Sequence, residues 1–305
     1  MPRVPLPPPV AGRPFSTSHA RQLGLGTGRL KGPDLATPHH GVRIPAAQSV
    51  LDVRSRARAL VPLLRDGWCF THLTAVSLWG LPLALSRSGG AVSALHVGVV
   101  GGRAPRRPGV VGHDLAPGVD IRSVDGLPVV SPLTAWCQSA ALLALDDLVA
   151  VGDALAGTWS EHPEAARRPM EALTEAVRSR AGTRGAARLR EALGLVRPGV
   201  ESPKETELRL LLHRAGLPEP EINTKRYDVR GRYLGKPDLS WPDRLVSLEY
   251  EGDEHRRDPR RWRSDIARAE RFADAGWRMV RATHDDLRGR GAARLLTRLQ
   301  TLLDS

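Results

Sequence analysis

The sequence has little cysteine, little lysine and no long apolar run, and each shortage excludes something. Its two cysteines, Cys69 and Cys137, sit in apolar surroundings (Gly-Trp-Cys-Phe and Ala-Trp-Cys-Gln). Neither a disulfide framework nor a zinc knuckle can be built from them, and both read as core residues of a protein kept in a reducing cytoplasm. No stretch approaches the length of uninterrupted apolar residues that spans a bilayer, and the opening MPRVPLPPPVAGRP is proline-rich without a signal-peptide apolar region. A cytoplasmic protein, neither exported nor membrane-spanning, is expected. Lysine occurs only at Lys31, Lys204, Lys225 and Lys236, so the formal net charge of +12 comes almost wholly from arginine. The planar guanidinium fork suits phosphate better than an ammonium point charge does, which makes nucleic acid the leading partner class. An Arg-rich, Ala-rich, Lys-poor composition also arises from a GC-rich genome, so charge alone decides little.

At 305 residues the chain suits two or three domains, and its punctuation suggests where they divide. Residues 1–14 are expected to be disordered, because prolines at that density support neither a helix nor a ladder. The segment FSTSHARQLGLGTGRLKGPDL reads as a short helix over Ser18–Leu23, a glycine turn over Gly24–Gly28 and a second short segment through Leu30. With the alternating run His39–Pro45 it outlines a small winged-helix-like module over residues 15–48. Residues 49–157 form an α/β unit: helices near Val53–Leu64 and Thr71–Leu78, strand-like runs at Ala94–Val100 and Val119–Ile121, and a helix after Pro132. His72 and His96 lie in this unit and read as packing or capping residues. Gly101 and Gly102 precede Arg103, Arg106 and Arg107, but no Gly-Lys-Ser/Thr ending and no helix follows, so a solvated basic hairpin is expected rather than a phosphate loop. Residues 158–200 make a helical connector with helices at Pro163–Arg180 and Arg184–Leu195, and Arg-Pro-Gly-Val at 197–200 breaks the pattern.

Residues 201–305 are the most legible. Ser202 is placed to cap a helix, Pro203 to occupy its first position and Glu205 to close a capping box. Three strands follow, at Ile222–Val229, Pro237–Trp241 and Leu245–Glu251, able to form an antiparallel meander. A long amphipathic helix over Pro259–Ala275, a strand at Trp277–Ala282 and a helix at Leu287–Leu303 complete the unit. In Leu245–Glu251 the period of two puts Ser247, Glu249 and Glu251 on one face. The two glutamates start about 7 Å apart, and at ~6 Å with an effective dielectric of about 20 their charges repel by roughly 2 to 3 kcal/mol. Asp238, one strand away, adds to the repulsion. Asp238, Glu249 and Glu251 are therefore the candidate metal ligands: converging carboxylates in an apolar strand need a cation, either arginine or a hard metal such as Mg²⁺, Mn²⁺ or Ca²⁺, and the bland alternative is an edge strand with solvated glutamates.

The order helix, strand, Pro-Asp strand, Glu-x-acid strand, helix, strand resembles the PD-(D/E)XK restriction-endonuclease-like superfamily. The segments SPKETELR, AGLPEPEIN, GKPDLSWPDRLVSLEYEGDEH, DIARAERFADAGWRMVRAT and HDDL are similar to its branch of domains like very-short-patch-repair endonucleases. The resemblance implies that Asp238 and Glu249 ligate a divalent metal, that Glu251 stands where the superfamily has its lysine, and that His255 is the histidine after the glycine. Glu205 matches the first-helix glutamate, and Asp265 and Arg268 match a polar pair on the next helix. It further implies a metal-dependent endonuclease, Mg²⁺ foremost and Mn²⁺ as the alternative, in which metal-activated water attacks a phosphodiester. His255 would then move a proton or orient the acids. Double-strand cleavage would favour a homodimer. The alternative is a non-catalytic DNA-binding regulator that keeps the nuclease fold as a platform.

More loosely, HARQLGLGTGRLK, DLATPHHGVRIP, THLTAVSLWGLPL, LHVGVV and GLPVVSP resemble the N-terminal region of AbiEi-type antitoxin-like proteins. That likeness implies a winged helix with Arg21, Arg29 and Lys31 near phosphate, and Arg260, Arg261, Arg263 and Arg268 on the long helix would extend the basic surface. The whole is expected to be an α/β multidomain protein that binds nucleic acid, DNA favoured.

Overall fold

Three leucines of a single helix, Leu208, Leu210 and Leu212, join two hydrophobic cores in this protein. The computed structural model describes residues 4–48, 50, 52–83, 94–160, 162–252 and 259–305, the last range without the side chains of residues 259–264. It is a mixed α/β structure with several sheets.

The N-terminal part is built on β1 (Phe15–Ser16), α1 (Thr17–Gln22), β2 (Leu35–Ala36) and β3 (Val42–Pro45), with strand order β1-β3-β2. Ser16 caps α1 by accepting from the His19 N–H at 3.2 Å. The second short segment expected through Leu30 is a 3₁₀ turn, Arg29–Lys31, which Gly32-Pro33 gives nowhere to continue. Part of the expected disorder is also corrected. Val10 is fully buried against Phe15, Ala20, Leu25 and Leu30, so the proline-rich segment folds onto this small core.

Next come α2 (Val53–Leu60), β4 (Trp68–Phe70), α3 (His72–Leu78), β5 (Leu95–Val100), β6 (Val110–Leu115), β7 (Ile121–Val124), β8 (Leu127–Val130) and α4 (Pro132–Ser139). The five strands form one sheet in the order β6-β5-β4-β8-β7, with β5 and β6 parallel. Helices α5 (Leu145–Ala156), α6 (Met170–Arg178) and α7 (Ala186–Leu195) share its core, which includes both cysteines. The helix expected over Pro163–Arg180 begins only at Met170. A 3₁₀ turn ends at Ala165, Arg167 takes φ 53°, and Pro169 then resets the chain.

The C-terminal part runs α8 (Pro203–Arg214), β9 (Glu221–Ile222), β10 (Arg226–Tyr227), β11 (Tyr233–Gly235), β12 (Leu239–Trp241), β13 (Val246–Tyr250), α9 (Pro259–Asp274), β14 (Arg278–Ala282) and α10 (Gly289–Asp304). Its main sheet has the order β14-β13-β12-β9, antiparallel from β9 to β13 and parallel between β13 and β14. The strand expected over Ile222–Val229 is broken, since Asn223 adopts φ 47° and ends β9. The residues beyond pair in a separate hairpin, β10 with β11. Because β13 is paired on both sides, the edge-strand alternative fails and Ser247 and Glu249 are buried.

Helix α8 is fastened to α5 by charge as well as by leucine. Asp153, fully buried, accepts from Arg209 Nη2 at 2.9 Å, from Thr206 Oγ1 at 2.8 Å and from the Arg197 N–H at 2.8 Å.

Candidate metal centre

Alternation along β13 sends Val246 and Leu248 into the core beneath α8 and α10, leaving Ser247 and Glu249 on the opposite face. The acids gather where β13 ends. Leu239 pairs with Leu248, so extending the register by one residue sets Asp238 opposite Glu249, where cross-strand Cβ atoms lie about 5 Å apart. Asp238 Oδ2 accepts from the Tyr250 N–H at 2.7 Å, which fixes its carboxylate against the end of β13. From α9, Arg268 Nη2 donates to Glu249 Oε2 at 2.6 Å. Glu249 Oε1, Ser247 Oγ and Arg268 Nε, all buried, have no hydrogen-bond partner.

Glu205 joins this group from the first turn of α8. Ser202 caps the helix as expected, accepting from the Glu205 N–H at 3.2 Å. The Glu205 carboxylate, however, does not close a capping box. Its Oε2 accepts from the Glu201 N–H at 2.9 Å and from Asn223 Nδ2 at 2.6 Å, so it ties the helix start to the residue that ends β9. Burial raises its pKa, and the charge of Asp238 adds to the rise.

Burial is also the largest influence on the other two acids. It raises Asp238 above the usual carboxylate range against the opposing Tyr250 N–H and the positive charges of Arg268 and Lys236. Glu249 is pushed up to about 7 despite its ion pair with Arg268, because desolvation outweighs the guanidinium and Asp238 and Asp265 oppose ionisation as well. A carboxylate with one bonded and one orphaned buried oxygen accounts for that balance.

Glu251 does not converge with them. It pairs with Arg281 Nη1 at 2.9 Å, a residue whose strand position lies beside Glu249. Among the described residues, Asp238, Glu249, Glu251 and Glu205 therefore supply no compact set of three ligand atoms. Arginine provides part of the cation that the sequence demanded. His255 and the side chains of Arg260, Arg261 and Arg263 lie outside the described residues.

The expected phosphate-contacting residues also divide. Arg21 and Lys31 are exposed on the N-terminal part. Arg29 is committed inward: it donates to Asp34 through both terminal nitrogens, at 3.1 and 2.8 Å, and to the Val4 carbonyl at 2.6 Å. Arg268 is likewise taken up by Glu249 rather than presented on a basic surface.

One constellation was missed altogether. His72, His96 and His113 each place a ring nitrogen within 4.8 Å of the others. The sequence separates them by 24 and 17 residues without a ligand-like spacing. The pairing of β5 with β6 brings His113 near His96, since Gly98 pairs with His113 and His96 stands two residues before Gly98 on the same face, and the Thr71 N–H donating to the His96 carbonyl at 3.0 Å brings His72 to them.

Among the described residues, no helix is long and apolar enough to cross a membrane. No family model and no solved structure matches the chain. Two curated proteins are similar to it: Uncharacterized protein MT2308 of Mycobacterium tuberculosis (strain CDC 1551 / Oshkosh) and Uncharacterized protein Rv2248 of Mycobacterium tuberculosis (strain ATCC 25618 / H37Rv). Each is 33% identical over 132 residues, which is 42% of this chain and 48% of the relative. The chain thus spans about half the length of the curated relatives it matches.

Proposed function

We propose that the C-terminal part is a divalent-metal-dependent endonuclease domain of the restriction-endonuclease-like kind, acting on nucleic acid with DNA favoured. The observation that carries this reading is the pair Asp238 and Glu249, opposed on neighbouring strands, with Glu249 Oε1 buried and unpartnered. Two carboxylates, one of them with an orphaned oxygen, fit a hard, oxygen-seeking ion such as Mg²⁺ or Mn²⁺, with nucleic acid and water completing the ligand set. When bound, such an ion would lower the pKa of water and polarise a phosphoryl oxygen. The chain's own residues do the rest. Tyr250 N–H holds Asp238 in place, Arg268 orients Glu249, and Glu205 with Asn223 fixes the start of α8 beside them. The order α8, β12, β13, α9 and β14 supports this reading. On this reading Arg21 and Lys31 contact phosphate, and a homodimer would bring two sites to the two strands of a duplex.

A second reading has its own support. Glu249 and Glu251 are each already neutralised by an arginine, as in a non-catalytic DNA-binding regulator that retains the fold as a platform. The two readings part in one experiment: purified full-length protein is incubated with plasmid, linear and single-stranded DNA, and RNA, in Mg²⁺, Mn²⁺ or EDTA. Cleavage that needs metal and disappears in Asp238→Asn and Glu249→Gln is expected. Binding without cleavage under every condition would leave the regulator.

A further inference from the structure

We infer that His72, His96 and His113 form a binding site for one divalent transition-metal ion of the Zn²⁺ type, separate from the carboxylate site on β13. The three residues come from different elements: His72 from the first position of α3, His96 from β5 and His113 from β6. Nothing local brings them together, yet their rings form one stack. His72 and His113 have centroids 3.7 Å apart, His96 and His113 5.1 Å, with planes 16° to 24° from parallel. His96 Nδ1 and His113 Nε2 are 2.9 Å apart, sharing one proton between two lone pairs.

The backbone is arranged to make this approach. His72 adopts φ 49°, a left-handed conformation that is unfavourable for a residue with a Cβ. Thr71 lies so close to β5 that a Cβ on Gly98 would sit 2.6 Å from Thr71 Cγ2 and 2.5 Å from Leu115 Cδ1. Glycine at 98 therefore lets the start of α3 press against the sheet beside His113. The His72 N–H donates to Gln138 Oε1 at 3.3 Å, and the His72 Nδ1 to Thr71 Oγ1 contact at 2.9 Å leaves Nε2 as the nitrogen to coordinate.

Three imidazoles in contact are a poor filling for a core but a familiar metal set. Tetrahedral bonds of about 2.0 to 2.1 Å put nitrogens about 3.3 Å apart, so a modest rotation of rings whose nitrogens now lie within 4.8 Å closes the site, and the shared proton passes to the other ring nitrogen of its own imidazole so that both facing lone pairs meet the ion. Burial holds His72 down to about 3 and His96 down to about 4, and lowers His113, so all are neutral at pH 7. Imidazole donors favour Zn²⁺, Co²⁺ or Ni²⁺ over Mg²⁺ or Ca²⁺.

The fourth position opens on a cleft of about 620 Å³ lined by His72, His113, Gln138 and Arg180. Cys137 also lines it, but burial pushes its thiol up to about 12 and Sγ donates to the Ala176 carbonyl, so it is not a fourth ligand. Arg180 Nε is buried there without a hydrogen-bond partner, which suits water or an anionic oxygen on the metal.

The test uses full-length protein without a histidine tag, carrying Asp238→Asn and Glu249→Gln so that the carboxylate site is silent. Zn²⁺ stoichiometry is measured by equilibrium dialysis, and Co²⁺ is followed by its visible absorption. One ion per chain and a tetrahedral-type Co²⁺ spectrum are expected. Both should be lost in His113→Gln and again in His72→Gln, with affinity falling by more than the roughly 10- to 100-fold that loss of a merely supporting group costs. Two substitutions in different elements guard against one that misfolds, and circular dichroism checks each. No stoichiometric binding in the background protein, or binding unchanged in both histidine variants, overturns the site.

Discussion

Glu249 concentrates the chemistry of the carboxylate site in one titration. Its pKa in the folded chain is about 7 against an ordinary 4.5, so the folded state holds the proton more tightly than the unfolded state. Protonation of Glu249 therefore contributes stability that is complete below the unfolded value and is lost as pH rises through 7. Glu249→Gln keeps the shape without the titration. Relative to the parent, it is expected to gain stability between pH 5 and pH 8, by up to about 3 kcal/mol at roughly 1.4 kcal/mol per unit, superimposed on a constant loss from leaving Arg268 unmatched. Thermal melts of both proteins across that range read the slope, and parallel curves would sink the assignment. Glu251→Ala is the contrast. Its ion pair with Arg281 is more than a third exposed on both sides, so stability should change by less than about 1 kcal/mol.

The elements that could be read from sequence are those whose signals are local. Ser202 and Pro203 announce the start of α8 because capping involves residues only a few positions apart, and alternation over Val246–Tyr250 declares β13. The carboxylates were legible for the same reason, since Glu249 and Asp238 lie in neighbouring strands with short connections. What escaped depends on pairing between distant segments or on a single backbone conformation. β4 is three residues long, β6 mixes exposed and half-buried positions, and their neighbours are set by the sheet rather than by pattern. Asn223 and Arg167 interrupt expected elements by adopting positive φ, a choice no periodicity records. Arg29 has the sequence setting of a phosphate contact, but its guanidinium is taken up by Asp34, a pairing that no local pattern announces.

Helix α8 adds an energetic consequence at this scale. Asp153 is completely buried and burial raises its pKa, so its charge persists through Arg209, Thr206 and the Arg197 N–H. Asp153→Ala would strand the Arg209 guanidinium, whose Nε already lacks a partner, and breaking a buried pair in this way costs about 3 to 5 kcal/mol. Chemical denaturation should reveal that loss as a lower midpoint. A change within about 0.5 kcal/mol, the range of ordinary surface substitutions, would mean the pair does not fasten α5 to α8.

For the whole molecule, the net charge of +12 becomes a statement about function only if it is directed at phosphate. The N-terminal part is the place to ask, but deleting it would confuse two effects. Its Val42 and Ile44 pack with Ala59 of α2, His39 contacts the Arg56 carbonyl, and Arg107 donates to the His40 carbonyl, so removal would expose core. Substitution at the exposed positions is cleaner. If Arg21 and Lys31 each neutralise one phosphate, log affinity for duplex DNA falls with log salt, and Arg21→Ala with Lys31→Ala reduces the slope by roughly 0.9 per contact, about 1.8 together. The affinity loss should be similar for unrelated sequences, because phosphate contacts position a protein without reading bases. Arg29→Ala serves as the internal comparison: with its guanidinium bound to Asp34 and Val4, it should lower the melting temperature and leave the salt slope of the folded protein unchanged. Fluorescence anisotropy across a salt series measures all three proteins. An unaltered slope in the double substitution would remove the N-terminal part from the proposed nucleic-acid interface.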